Sequence, residues 1–159
     1  MAGERILIAV LCLLLPQIAE AACQPPHYKI DGAEATDEAT GLVWRRCGLG
    51  MTWQAGKGCT GKLLQFSQDS AAKEIAALGE GWRMPKVSEL YTLVDNGCGV
   101  PTIDTSVFPD VVVKPEGAPY WTSTKVGATD LIVEVDFSDG SYDGHSKGIP
   151  LPVRPVKGP

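Results

Sequence analysis

The sequence predicts an α+β fold: one compact disulfide-bonded domain of short antiparallel strands with two helices. Three observations carry that reading. Strand-like segments at both ends enclose two stretches of helical periodicity. The chain is heavily punctuated, with 18 Gly and 12 Pro in 159 residues, which favours many short elements over a few long ones. Its cysteines also become even in number once a leader is removed.

That leader is Met1–Ala21, which reads as a secretory signal. Arg5 closes a short charged region, Ile6–Leu15 is apolar, and Ala19-Glu20-Ala21 offers a small-residue cleavage site. The apolar run is too short to cross a bilayer core, which needs about 20 helical residues. Glu20 stands where a lipobox needs an apolar residue, which weakens a lipoprotein reading through Cys23. The domain then spans 22–159, and loss of Glu4, Glu20 and Arg5 moves the formal charge from −5 to −4. A chain of this size builds one core, and the charge balance excludes a strongly basic nucleic-acid binder or a disordered acidic tail. Export places the product in the periplasm, in the medium or on the cell surface.

Cys12 leaves with the leader and Cys23, Cys47, Cys59 and Cys98 remain. An even set in an exported chain implies disulfides. Cys47 and Cys59 flank Gly48, Gly50, Gly56 and Gly58, so a local bridge Cys47–Cys59 would close a flexible loop. Cys23–Cys98 follows by elimination. Zinc is the rival, but no pair has zinc-knuckle spacing and only two His are present.

Along the chain, Tyr28–Ile30 reads as a strand running into the turn Asp31-Gly32, and Asp37–Gly41 is a second turn before Leu42-Val43-Trp44. The cysteine loop follows. Ser67 can cap a first helix carrying Ala71, Ile75 and Leu78 and ending at Gly79. A second helix after Trp82-Arg83-Met84-Pro85 places Val87, Leu90, Tyr91 and Val94 on one stripe, closed by Asn96-Gly97. Tyr120–Thr124 is a strand. In the next strand Leu131, Val133, Val135 and Phe137 alternate with Ile132, Glu134 and Asp136, which predicts one buried and one half-polar face. Leu151–Val156 is a final strand that Pro152 and Pro155 push towards an edge. Trp44, Trp82 and Trp121 are expected in the core.

Several of these segments together resemble one family. The set is Thr36-Asp37, Thr40–Trp44, Arg46-Cys47, Trp53, Cys59-Thr60-Gly61, Trp82–Pro85 with Glu89-Leu90, Ile103-Asp104, Phe108-Pro109, Tyr120–Thr124, Val135-Asp136-Phe137 with Gly140, and Val153–Val156. In that order they resemble the C-terminal domain of the Legionella collagen-like adhesin (Lcl), over about Tyr28–Val156. The Trp82–Pro85 segment is also similar to the helix-opening motif of C-type lectin-like and formylglycine-generating-enzyme folds. The resemblance implies a C-type lectin-like, disulfide-bearing domain displayed outside the cell, and a taste for sulfated glycosaminoglycans. Lys86 stands at the helix-cap position where the family usually has a small polar residue, Pro155 interrupts the last strand, and no Gly-X-Y stalk precedes the domain.

Charge distribution supplies the candidate site. Between Glu38 and Asp69 no acidic residue occurs, whereas Arg45, Arg46, Lys57 and Lys62 do, with Trp53 inside the cysteine loop. A disulfide-fixed basic loop suits an anionic ligand, because Arg forks match sulfate or carboxylate and rigid display lowers the ordering cost. The bland alternative is solvated surface with Trp53 folded into the core. Asp136, Asp139 and Asp143 offer a weaker calcium alternative in an acidic turn, although their spacing fits no EF-hand loop. Gly144-His145-Ser146-Lys147-Gly148 imitates a hydrolase elbow but has no acid or His beyond it. His27 and His145 are expected in loops. Arg83 and Glu89 read as structural, with Glu89 serving the first turn of the second helix.

The expected function is therefore an exported, non-enzymatic recognition or adhesion domain for an anionic polysaccharide or a surface protein, needing no cofactor and touching no nucleic acid. The alternative is a small packing subunit of a surface or periplasmic assembly. Least favoured is a formylglycine-generating type of enzyme.

Overall fold

The computed structural model describes Cys23 and residues 27–159. The expected signal segment Met1–Ala21 lies outside the described residues. Nine short strands and two α-helices make an α+β domain of three antiparallel sheets.

The first sheet has the order β1-β2-β3-β9, from Tyr28–Asp31, Glu34–Asp37, Val43–Arg45 and Val156–Lys157. Asp37 closes the turn into β3: its carboxylate accepts from Ala39 N–H at 2.8 Å and Thr40 Oγ1 at 2.7 Å. The second sheet is the hairpin β4-β5, Met51–Gln54 against Gly58–Gly61. This corrects the expectation of a flexible loop between the cysteines. Thr52, Trp53 and Thr60 favour extended backbone, and Ala55-Gly56-Lys57 makes the turn. The third sheet, β6-β7-β8, comprises Pro119–Lys125, Leu131–Asp136 and Ser141–Ser146.

Helix α1 spans Gln68–Ala76, with Ser67 Oγ accepting from Ser70 N–H and with Ala71 and Ile75 buried. The second helix is shorter than its stripe implies. Regular α-helix, α2, covers only Val87–Leu90, and Tyr91–Leu93 tightens into a 3₁₀ turn. The tighter winding brings Leu93 inward at three residues from Leu90, at 3% and 0% exposure, and leaves Tyr91 at 44%.

Two further expectations need correction. In β7, Ile132 and Glu134 are buried while Leu131 is exposed, so the alternation does not sort one apolar face in and one polar face out. The sheet is covered on both sides, by one apolar cluster around Trp44, Phe108, Tyr120, Val135 and Phe137 and another around Trp121, Ile132, Ile75 and Val153. The final strand also shrinks to Val156–Lys157. Pro152 and Pro155 have no N–H to give, but their carbonyls accept from Trp121 N–H at 3.0 Å and Arg45 N–H at 3.1 Å. The Val153 carbonyl likewise accepts from Leu49 N–H at 3.2 Å, so residues 151–157 run as a seam between the sheets. Trp44 and Trp121 are fully buried, whereas Trp82 sits half-buried at the rim under the Lys157 ammonium, 4.4 Å from its ring.

The disulfides join Cys47 to Cys59 and Cys23 to Cys98. The first ties the β4-β5 hairpin to the end of β3. The second ties Cys23 to the 3₁₀ turn Asn96–Cys98.

Candidate functional site

The basic stretch divides by strand geometry. Arg45 and Arg46 are neighbours at the end of β3, so their side chains leave on opposite sides. Arg46 turns inward and is 7% exposed. Its Nε donates to the Val107 carbonyl at 3.0 Å, Nη1 to Gly32 at 3.2 Å and Nη2 to Ser106 at 3.1 Å. The guanidinium also stacks 3.5 Å above the Trp53 ring. Arg46 and Trp53 thus anchor the hairpin to two loops, and the Arg46 nitrogens are already engaged.

Arg45 has the opposite character. It is half-buried, and its guanidinium makes no hydrogen bond among the described residues, whereas Arg46, Arg83 and Arg154 are all held. Burial lowers its pKa, an effect that Glu34 partly offsets. It stands between two adjoining clefts. One, of about 280 Å³, is walled by Leu49, Gly50, Thr52, Leu64 and Glu74; the other, of about 260 Å³, by Glu34, Glu80 and Trp82. Leu78 borders both, so together they form one groove with Arg45 at its middle. Glu34 is paired with Lys157 at 2.9 Å. Gly50 lets Lys62 approach, since a Cβ there (φ 88°) would run into the Lys62 carbonyl and Leu64. Lys62 is exposed beside the groove, and Lys57 is exposed in the hairpin turn away from it. Trp53 lines neither cleft.

Arg83 and Glu89 form a fork-to-fork pair, both contacts at 2.7 Å. Glu89 Oε2 also accepts from Lys86 N–H at 2.7 Å, at the start of α2. The hydrogen bond from Arg83 holds the Glu89 pKa below its ordinary 4.5, against the opposing pull of burial. A depressed acid contributes stability that is present above the unfolded pKa and is lost as pH falls through the folded one. Glu89→Gln is accordingly expected to melt below the parent at neutral pH and to converge with it in acid. Melting temperatures of both proteins along a pH series check this; a constant gap down to the acid limb would contradict it.

The acidic turn does not gather its carboxylates. Asp136 Oδ1 accepts from Ala118 and Ser138 N–H, Asp139 from Ser141, and Asp143 from Gly144. Each is committed to a backbone N–H, Asp139 and Asp143 to their own turn or strand and Asp136 also to Ala118 ahead of β6. Among the described residues the one cluster of three metal-type donors is Cys23, Asp95 and Cys98, whose two sulfurs are already joined to each other. His27 lies ahead of β1, but His145 is on β8 and not in a loop: Ser141–Ser146, weak in strand formers, is held extended by β7. Beside it Glu134 is 4% exposed, and burial, then Asp136, Asp143 and Asp139, push its pKa up to about 7.

Composition gave no sign of one further feature. Arg154 is fully buried, with Nη2 donating to Asp110 Oδ1 at 2.6 Å and Nη1 to the Arg45 carbonyl at 2.8 Å. Asp110 Oδ2 accepts from Gly48 N–H at 2.7 Å, so the carboxylate links the seam to the cysteine hairpin. The guanidinium lies 4.8 Å from the Phe108 ring centre. The available signal was Val153-Arg154-Pro155-Val156, an arginine inside an apolar run.

No helix among the described residues is long and apolar enough to cross a membrane, and the two disulfides fit an exported protein. No curated protein matches the chain significantly. A family model does, over residues 33–157, which include the Arg45 groove, the cysteine hairpin and the buried Arg154. With most of its length matched, the chain belongs to the Lcl C-terminal domain family, an adhesin-associated family.

Proposed function

We propose that the domain is a non-enzymatic recognition module of the exported surface, binding an anionic ligand, a sulfated or otherwise acidic glycan, through the groove centred on Arg45. The observation that carries this is the unengaged fork of Arg45. A half-buried guanidinium that makes no hydrogen bond among the described residues has donors left over for a ligand, so an oxyanion in the groove can take up a charge-assisted pair. Lys62 at the rim adds charge, and the Cys47–Cys59 bridge with the Arg46–Trp53 stack holds the wall in place. Lys57 then serves approach and not contact. The same reading takes the α+β arrangement as C-type lectin-like. It leaves the four mature cysteines structural, with no free thiol among them for formylglycine-type chemistry.

Among the described residues Arg45 bears no side-chain hydrogen bond, so Arg45→Ala is expected to fold. Its affinity for dextran sulfate is expected to fall about tenfold or more, the scale of one lost charge-assisted contact. Lys62→Ala is expected to fall less and to flatten the salt dependence. Biosensor titrations against dextran sulfate and uncharged dextran, at low and physiological ionic strength, read both effects. Unchanged binding in Arg45→Ala would remove the groove from the proposal.

One observation favours a packing subunit instead. Tyr91 and Tyr142 meet edge-to-face at 5.9 Å on the surface, 44% and 63% exposed, over a shallow apolar hollow that includes Val87 and Val133. Absence of polysaccharide binding, together with self-association that Tyr142→Ser abolishes, would move the assignment there.

A further inference from the structure

The face of β7-β8 that carries Glu134 holds an arrangement the Arg45 groove does not use. Glu134 stands directly across the ladder from Asp143, and Ile132 from His145. Directly opposed residues of an antiparallel pair point the same way, as do residues two apart on one strand. Glu134, Asp143 and His145 therefore share one face, with Trp121 opposite Glu134 on the other side in β6.

The Glu134 side chain is 5% exposed, and its Oε2 is buried with no hydrogen-bond partner among the described residues. Its Oε1 lies 3.7 Å from His145 Nε2, and the His145 side chain is 42% exposed. That separation is too long for a hydrogen bond. It is close to the spacing of about 3.4 Å between two ligands that each sit about 2.0–2.2 Å from one tetrahedral ion. The surroundings are also wrong for a carboxylate on its own. Asp136 and Asp139 add negative charge nearby, but their oxygens are committed to backbone N–H groups. A backbone hydrogen bond from Asp143 favours the charged carboxylate but is outweighed by burial and the neighbouring acids, and among the described residues the basic group paired with Glu134 is an imidazole at non-bonding distance.

We propose that Glu134 and His145, joined by Asp143, form a binding site for a divalent transition-metal ion of the zinc class, with water completing the shell. Imidazole with carboxylate selects zinc, nickel or copper over calcium, which takes six to eight oxygen ligands. Asp143 is exposed, and its carboxylate, which accepts from Gly144 N–H, does not now stand in one three-donor cluster with Glu134 and His145; a side-chain rotation would bring it in as the third donor. The buried Glu134 is the fixed ligand, and His145 is the open side through which the ion enters.

The test uses the whole protein, freed of metal with EDTA and dialysed, with zinc chloride as the probe. Melting temperature is expected to rise with zinc concentration, because an ion bound only by the folded form stabilises it by mass action. Equilibrium dialysis should give one zinc per chain. His145→Ala, a change at a half-buried position on an edge strand, and Glu134→Gln are each expected to abolish both the rise and the stoichiometric binding. Asp139→Asn should leave them intact. No rise in the parent protein overturns the site, and so does an equal rise in the His145→Ala protein. A response to calcium but not to zinc overturns the choice of ion. Dextran sulfate binding through Arg45 is read separately and has no bearing on these outcomes.

Discussion

Asp110→Ala is expected to destabilise the domain by about 3–5 kcal/mol, the range for breaking a buried ion pair from one side. The cause is what stays behind. Arg154, at 0% exposure, would keep its charge with the Arg45 carbonyl and the faces of Phe108 and Tyr120 but no anion to receive it, and Gly48 N–H would lose its acceptor. For a domain of this size that is a large share of the whole stability. Urea unfolding followed by tryptophan fluorescence reads it, since Trp44 and Trp121 are buried. Replacing both partners, Asp110→Leu with Arg154→Met, is expected to recover much of the loss, because no orphaned charge then remains. A single variant within 1 kcal/mol of the parent would show that water reaches the pair and that the seam is held by its backbone bonds alone.

Removal of the Cys47–Cys59 bridge is the second large effect. For residues 12 apart the chain-entropy model gives about 3 kcal/mol. The effect is expected to be concentrated in the hairpin. The β4-β5 pair is a two-stranded ribbon, marginal on its own, and its other ties are the Arg46–Trp53 stack and the contacts of residues 62–64. In Cys47→Ser/Cys59→Ser the segment from Met51 to Gly61 should become the first site of proteolytic cutting, with α1 and the β6-β7-β8 sheet still protected. Limited proteolysis with mass spectrometry separates this local opening from global loss. Cutting that begins in the third sheet would contradict it. Under the proposed function the same variant loses dextran sulfate affinity, since Gly50, Met51 and Thr52 wall the groove.

What the sequence made legible follows from how local each signal is. Ser67 capping α1, the turn at Asp37 and the two cysteine pairs depend on neighbours or on a small set of like residues, and they read directly. β8 did not, because Ser-Tyr-Asp-Gly-His-Ser has little strand preference of its own and is extended by pairing with β7. The 3₁₀ turn at Tyr91–Leu93 also escaped, since the stripe fits an α-helix and packing alone decides that Leu93 goes in. At the candidate site the difficulty was one of kind. Arg45, Arg46, Lys57 and Lys62 look equivalent as letters. Only the β3 pairing, with Arg46 just beyond its end, shows that one arginine is spent inside while its neighbour faces the groove. The Arg154–Asp110 pair spans 44 positions and has no local mark on its acidic half.

The seam at residues 151–157 also makes distant parts of the domain depend on one short segment, which supplies carbonyls to Trp121, Leu49 and Arg45 and the strand that closes on β3. A cut or a disruptive substitution inside this one segment is therefore expected to loosen the third sheet, the cysteine hairpin and the first sheet together, because each of them is tied to it by a different carbonyl or strand. Damage there is shared across the domain, whereas damage to a hairpin tip stays where it occurs.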